Sequence, residues 1–104
     1  MASYRLTKAA DRDFESIFDF GIDQFGLLQA KAYQQGMIER FGQLAERPSL
    51  YPSVGHIRPG FHRSVYQSHA IYYRVEPDGV VIIRILGRQD ADEAFMEEDE
   101  GGLY

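Results

Sequence analysis

Residues 57–86 read IRPGFHRSVYQSHAIYYRVEPDGVVIIRIL, and this stretch decides the fold. After the Pro59-Gly60 turn come three runs, 61–66, 69–75 and 80–86, rich in the β-branched and aromatic residues that suit a pleated, half-buried surface. Gln67-Ser68 and Glu76-Pro77-Asp78-Gly79 separate them by links short enough for hairpins, the second with Pro-Asp-Gly turn chemistry. An antiparallel meander follows. The third run is apolar on both faces apart from Arg84, which predicts a central, covered strand. A lone guanidinium there must either find a carboxylate or reach a solvent-facing groove.

Upstream, the spacing predicts two helices. Thr7 can cap the first by accepting a bond from an orphan amide, and Asp11 and Asp13 suit its positive end. Ala10, Phe14, Ile17, Phe18, Ile22 and Phe25 recur at steps of three and four, drawing one apolar stripe, with Asp11, Glu15, Asp19 and Asp23 facing away. Gly26 suits the positive-φ residue that closes a helix, and Ala30, Tyr33, Met37, Phe41 and Leu44 repeat the helical spacing up to Arg47-Pro48. So tight a turn makes an antiparallel hairpin. Gly36 and Gly42 cost the second helix up to ~1 kcal/mol each relative to alanine, a cost explained if they let helix 1 or the sheet approach closely.

Tyr4-Arg5-Leu6 supplies a short first strand, and the turn-rich residues 48–55 carry the chain from hairpin to sheet. The expected fold class is α+β in the order β-α-α-β-β-β: a helical hairpin packed on one face of a small antiparallel sheet, ending in a short acidic helix or tail. One domain, residues 1–104, is expected, with the acidic tail at about 90–104.

Composition narrows the function. The net charge of -5 hides an asymmetry. Seven acids follow Gln89 with no Lys or Arg among them, which leaves nine acids against eleven bases, about +2, for residues 1–89. Without cysteine there is no disulfide framework, thiolate metal site or cysteine nucleophile, and a reducing cytoplasm is expected. No apolar leader and no run approaching the ~20 apolar residues of a membrane span are visible. His56, His62 and His69 are spaced by six and seven, which fits no compact metal-ligand pattern, so neither metal nor cofactor is expected. Tyr33, Tyr66, Tyr72 and Tyr73 could stack bases, but core packing accounts for them and the net acidity argues against direct nucleic-acid binding. No phosphate loop, nucleophile elbow or paired carboxylates appear.

With the elements placed, Tyr4-Arg5-Leu6-Thr7, Phe25-Gly26 with Gln29-Ala30 and Tyr33, Leu44-Ala45-Glu46-Arg47-Pro48, and then Ile57-Arg58-Pro59-Gly60-Phe61-His62-Arg63, Ser68-His69-Ala70-Ile71-Tyr72-Tyr73-Arg74-Val75 and Ile82-Ile83-Arg84-Ile85-Leu86 stand in one order. Together they resemble the ParE branch of the RelE/ParE toxin superfamily over nearly all of residues 4–86. The resemblance implies a toxin of a type II toxin–antitoxin system, neutralised in a hetero-oligomer by a ParD-like antitoxin and inhibiting DNA gyrase without being an enzyme. After Leu86 the chain departs from the family pattern with Gly87-Arg88-Gln89-Asp90-Ala91-Asp92. Two other readings therefore stay open: a RelE-like messenger RNA interferase using Arg63 and Arg84 on phosphate, and a ParE-fold protein that has lost toxicity.

Ribonuclease chemistry needs cationic groups for phosphate and a group to move protons. Gly87 stands where a histidine or tyrosine would serve. The candidate residues for contact with antitoxin or target are the arginines Arg58, Arg63, Arg74, Arg84 and Arg88. Against that, Arg58 and Arg74 could instead pair with Glu76, Asp78 or a tail carboxylate, as surface ion pairs worth under ~1 kcal/mol.

Overall fold

A computed structural model describes residues 3–55 and 58–87. The Thr7 hydroxyl accepts from the Ala10 amide at 3.0 Å, satisfying an orphan donor, and α1 (Lys8–Phe25) begins there. It stops at Gly26, whose φ of +90° favours a residue without a Cβ, and α2 (Leu27–Glu46) runs back. The short strand β1 (Ser3–Leu6) precedes the hairpin, and β2 (Phe61–Tyr66), β3 (His69–Glu76) and β4 (Gly79–Gly87) follow it.

The four strands stand in the order β1-β4-β3-β2. β2, β3 and β4 form the expected antiparallel meander, whereas β1 joins β4 in parallel. The sheet is therefore mixed rather than wholly antiparallel. Parallel neighbours need a long crossover, and here the hairpin and two strands supply it. Close pairing at this edge depends on Gly79, because a Cβ there would meet the Ser3 backbone. β4, as expected, is central.

Between β3 and β4 the register shifts: Tyr72 pairs with Arg84 but Tyr73 with Ile82, which makes Ile83 the extra residue of a bulge. β1 is too short to cover the rest of β4, so the start of α1 completes that edge. The Thr7 amide and hydroxyl donate to the Ile82 and Ile83 carbonyls at 3.0 and 2.8 Å, and the Ile85 amide donates to Asp13 Oδ2 at 3.0 Å.

The two sheet faces bury different clusters. Under the helices lie Ala10, Met37, Phe41, Leu44, Ile71, Tyr73, Val80, Ile82 and Ile85. On the opposite face Phe61, Ala70, Tyr72, Val81 and Ile83 gather with Val54 from the loop. The expected α1 stripe is only partly a core stripe. Phe14 and Ile17 pack on the core, but Phe25 is 62% exposed. An 18-residue helix is about 27 Å long and overruns the sheet, so its last turns have no layer beneath them.

Candidate functional site

Where the hairpin overruns the sheet, the helices leave a groove of about 260 Å³ walled by Phe14, Ile17, Phe18, Phe20, Phe25 and Met37. Its mouth continues into an exposed apolar tip formed by Phe20, Phe25, Leu27 and Leu28. Exposed clusters of large apolar side chains mark interaction surfaces more often than isolated ones.

The groove's polar end is built from Tyr33 on α2 and His69 at the start of β3. The Tyr33 hydroxyl lies 3.1 Å from the Tyr66 carbonyl and 2.7 Å from His69 Nδ1. Both contacts are satisfied together when the hydroxyl donates to the carbonyl and accepts from Nδ1–H of a neutral imidazole. Burial supports that state, since it pushes the His69 pKa down and the Tyr33 pKa up. Tyr66 packs its ring against Tyr33 with centroids 5.2 Å apart. Arg40 reaches from α2 across the Tyr51 and Tyr66 rings and donates to Ser64 Oγ and the Val65 carbonyl at 2.8 and 2.9 Å. Helix, loop and β2 are thereby tied at one point. Arg40 gave no sign of this role in the sequence, because its four partners lie in loop and sheet residues distant along the chain.

The arginines read from the sequence divide. Arg84 finds a carboxylate: Nε and Nη2 donate to Asp13 Oδ2 and Oδ1 at 2.7 and 3.1 Å, a bidentate fork with both side chains less than a fifth exposed. Arg74 pairs with Glu76 at 3.4 Å, and Arg5 shares that carboxylate at the same distance. Arg63 holds its guanidinium 5.9 Å from the Tyr72 ring centroid. The Arg58 backbone closes a turn, its amide donating to the Val54 carbonyl at 3.2 Å and its carbonyl accepting from the Phe61 amide at 3.1 Å. Arg88 lies outside the described residues, as do His56 and the expected acidic tail.

Strand alternation decides which of these groups can act together. Arg63 lies opposite Tyr72, and Arg74 opposite Phe61 and Val81, so both arginines share the face away from the helices. His62 stacks on Tyr73 at 5.3 Å and bonds the Tyr51 carbonyl at 3.0 Å. His69 meets Tyr33 of α2. Both of these histidines thus sit on the helix side. The tyrosines split too: Tyr72 belongs to the far cluster and Tyr73 to the helix-side core, so they make no common stacking platform. Tyr73 donates to the Pro48 carbonyl at 2.7 Å, and burial, with Tyr51 nearby, raises its pKa to about 12.

Known proteins are similar to this chain in sequence and in architecture. The family model for "ParE toxin of type II toxin-antitoxin system, parDE" matches residues 4–91. The protein named Toxin ParE1 from Mycobacterium tuberculosis is 32% identical over 91 residues, covering 86% of this chain and 93% of that protein. Toxin ParE1 from Caulobacter vibrioides is 31% identical over 86 residues, covering 83% and 88%. A solved structure titled "Chromosomal ParDE TA system from P. aeruginosa" superposes with a TM-score of 0.71 at 23% identity, covering 84% of this chain and 96% of that one. At that identity the likeness speaks for the fold alone.

Proposed function

The chain belongs to the ParE toxin family of type II toxin–antitoxin systems, and on that footing we propose that it is a gyrase-directed toxin silenced by a ParD-like antitoxin. The observation that carries the antitoxin half is the groove between the overrunning ends of α1 and α2. It offers an amphipathic helix the apolar channel that helix-in-groove recognition requires, and the exposed tip beside it enlarges the contact. A partner segment seated there would cover Phe20 and Phe25, which are 61% and 62% exposed in the free chain.

The action proposed on gyrase is binding rather than catalysis. Strand alternation puts the imidazoles His62 and His69 on one side of the sheet and Arg63 and Arg74 on the other. Phosphodiester cleavage needs a proton-transferring group within hydrogen-bond reach of the same reacting atoms that the cations stabilise. Among the described residues, no imidazole shares a face with those two arginines.

Two measurements test the proposal. Purified protein should inhibit gyrase supercoiling or promote gyrase-linked DNA cleavage at the concentrations that arrest growth. Inert gyrase reactions at such concentrations, with new transcript ends mapped by primer extension, would replace binding with ribonuclease action. For the antitoxin, Phe20→Asp should lose capture by the product of the adjacent reading frame while keeping the wild-type circular dichroism spectrum. Undiminished capture would remove the groove from the account.

A further inference from the structure

The far face of the sheet poses a packing question. Ala70, Tyr72, Val81 and Ile83 are all at most 4% exposed, and both helices pack on the other face. Among the described residues of that cluster, only Val54 comes from outside the strands. A sheet face buries its apolar residues only under a second layer, and one loop valine beside Phe61 does not cover a face three strands wide. The same face carries Arg63 and Arg74, with Arg58 in the turn before Phe61.

The sequence beyond β4 has the matching properties. β4 ends at Gly87, and the given chain runs to 104, so 17 residues follow. They hold seven acids, one base (Arg88) and a compact apolar group of Ala91, Ala94, Phe95 and Met96. The register puts Gly87 opposite His69, at the end of the sheet away from Arg74 and Phe61. Crossing back from Gly87 to Val81 takes about 20 Å. An extended segment of eight residues, enough to bring Phe95 there, spans about 26 Å, and the acids at 97–100 then fall near Arg58 and Arg74.

We propose that residues 90–100 fold back over the far face of the sheet, seating Phe95 and Met96 on the Tyr72–Val81–Ile83 cluster and placing their carboxylates against Arg58, Arg63 and Arg74. The chain carries its own acidic cover for the arginines that a partner's acids would otherwise meet. The docking does not depend on the toxin reading. Only its consequence does: a partner that uses this face must displace the cover, which lowers that partner's apparent affinity.

The absence of native cysteine makes a direct test available on the full chain. A nitroxide on Glu98→Cys should strongly broaden the amide resonances of Arg63, Tyr72 and Val81 and leave those of Ile17, Gly21 and Ala30 sharp. The broadening should fade in the presence of Phe95→Ser, and weaken at about 1 M salt, where the Debye length falls to ~3 Å. Broadening at Ile17, Gly21 and Ala30 would move the segment to the helical groove, and no broadening at all would mean that it does not dock; either result overturns the proposal. So does broadening that reappears when unlabelled-spin ¹⁵N protein is mixed with spin-labelled ¹⁴N protein, since the cover would then come from a second copy. The consequence is read separately. E97Q/E98Q/D99N/E100Q should raise affinity for a poly-glutamate peptide at least severalfold, and unchanged affinity would show that the cover and an acidic ligand do not share the arginines. Loss of gyrase inhibition would overturn the proposed function and leave the spin-label result standing.

Discussion

Two glycines in one helix should respond to alanine with opposite signs. Gly36 and Gly42 both interrupt α2, and by helix propensity each substitution should stabilise by up to ~1 kcal/mol. Around Gly42 a Cβ meets nothing within 4 Å, so Gly42→Ala should realise most of that gain. At Gly36 a Cβ would fall on the Tyr66 hydroxyl and within 2.9 Å of its Cζ. The far end of a tyrosine can swing aside, which caps the cost, but this ring is held. Moving it weakens the packing on Tyr33, worth ~0.5–1.5 kcal/mol, and the Arg40 contact at 5.3 Å, worth ~0.5–1 kcal/mol. Overpacking that cannot relax adds to this. Set against the propensity gain, Gly36→Ala should come out about 1 kcal/mol less stable than wild type, roughly 4–8 °C in Tm for a domain of this size. Urea unfolding of both variants is the assay, repeated in a Tyr66→Phe background, where removing the hydroxyl should shrink the Gly36→Ala penalty. Equal stabilisation by both alanines, or a penalty untouched by Tyr66→Phe, would refute the close approach.

Other expectations follow from the same contacts. Asp13→Ala should cost about 2–3 kcal/mol, because it orphans the Arg84 guanidinium and the Ile85 amide together, toward the lower end for a broken buried pair since some solvent reaches it; chemical denaturation measures it. Arg84→Lys should lose less, keeping the charge without the fork, so any binding defect of an Arg84 variant must be compared at matched folded fraction. Gly79→Ala should destabilise more than Gly36→Ala, since its Cβ meets the Ser3 backbone rather than a movable side chain, and thermal melts would show it. The His69 pKa is lowered by burial, so the unfolded chain binds its proton first. Stability from this site is present above pH ~6.5 and declines as pH falls through that value toward the lowered folded pKa. His69→Gln should flatten that part of the stability–pH curve relative to wild type, and identical slopes would contradict the neutral assignment.

Local chemistry made much of the fold readable. Thr7 caps α1 with its own hydroxyl, Pro-Asp-Gly turns β3 into β4, and Gly36 admits the sheet's Tyr66, all as the residue types imply. What was not readable depends on partners far along the chain. Asp13 has the position of an acid suited to a helix start, yet its carboxylate serves Arg84 and Ile85, 71 and 72 positions away. The parallel pairing of β1 rests on a four-residue strand with no local signal of direction. The stripe through Phe25 is a helix face, but periodicity does not say how far the sheet beneath it extends. That missing length is what turns part of a core stripe into a groove. Of the candidate arginines, the sequence posed the alternative for Arg84 correctly, a carboxylate or a groove, and could not choose between them.

Strand parity is the part of the site that was latent in the sequence. His62 and Arg63 are adjacent in one strand, so their side chains leave opposite faces. His69 and Arg74 are five apart in the next strand, an odd separation with the same result, and the bulge at Ile83 falls on β4 and leaves the parity of β3 intact. Once Tyr73 is placed under the helices, both histidines must follow it there, and Arg63 and Arg74 must lie outside. The case against ribonuclease action therefore rests on topology as well as on the glycine at position 87. Position 87 lies opposite His69 and so on the helix side, which leaves an acid/base group restored at the end of β4, like any change at His62 or His69, a sheet's thickness away from Arg63 and Arg74.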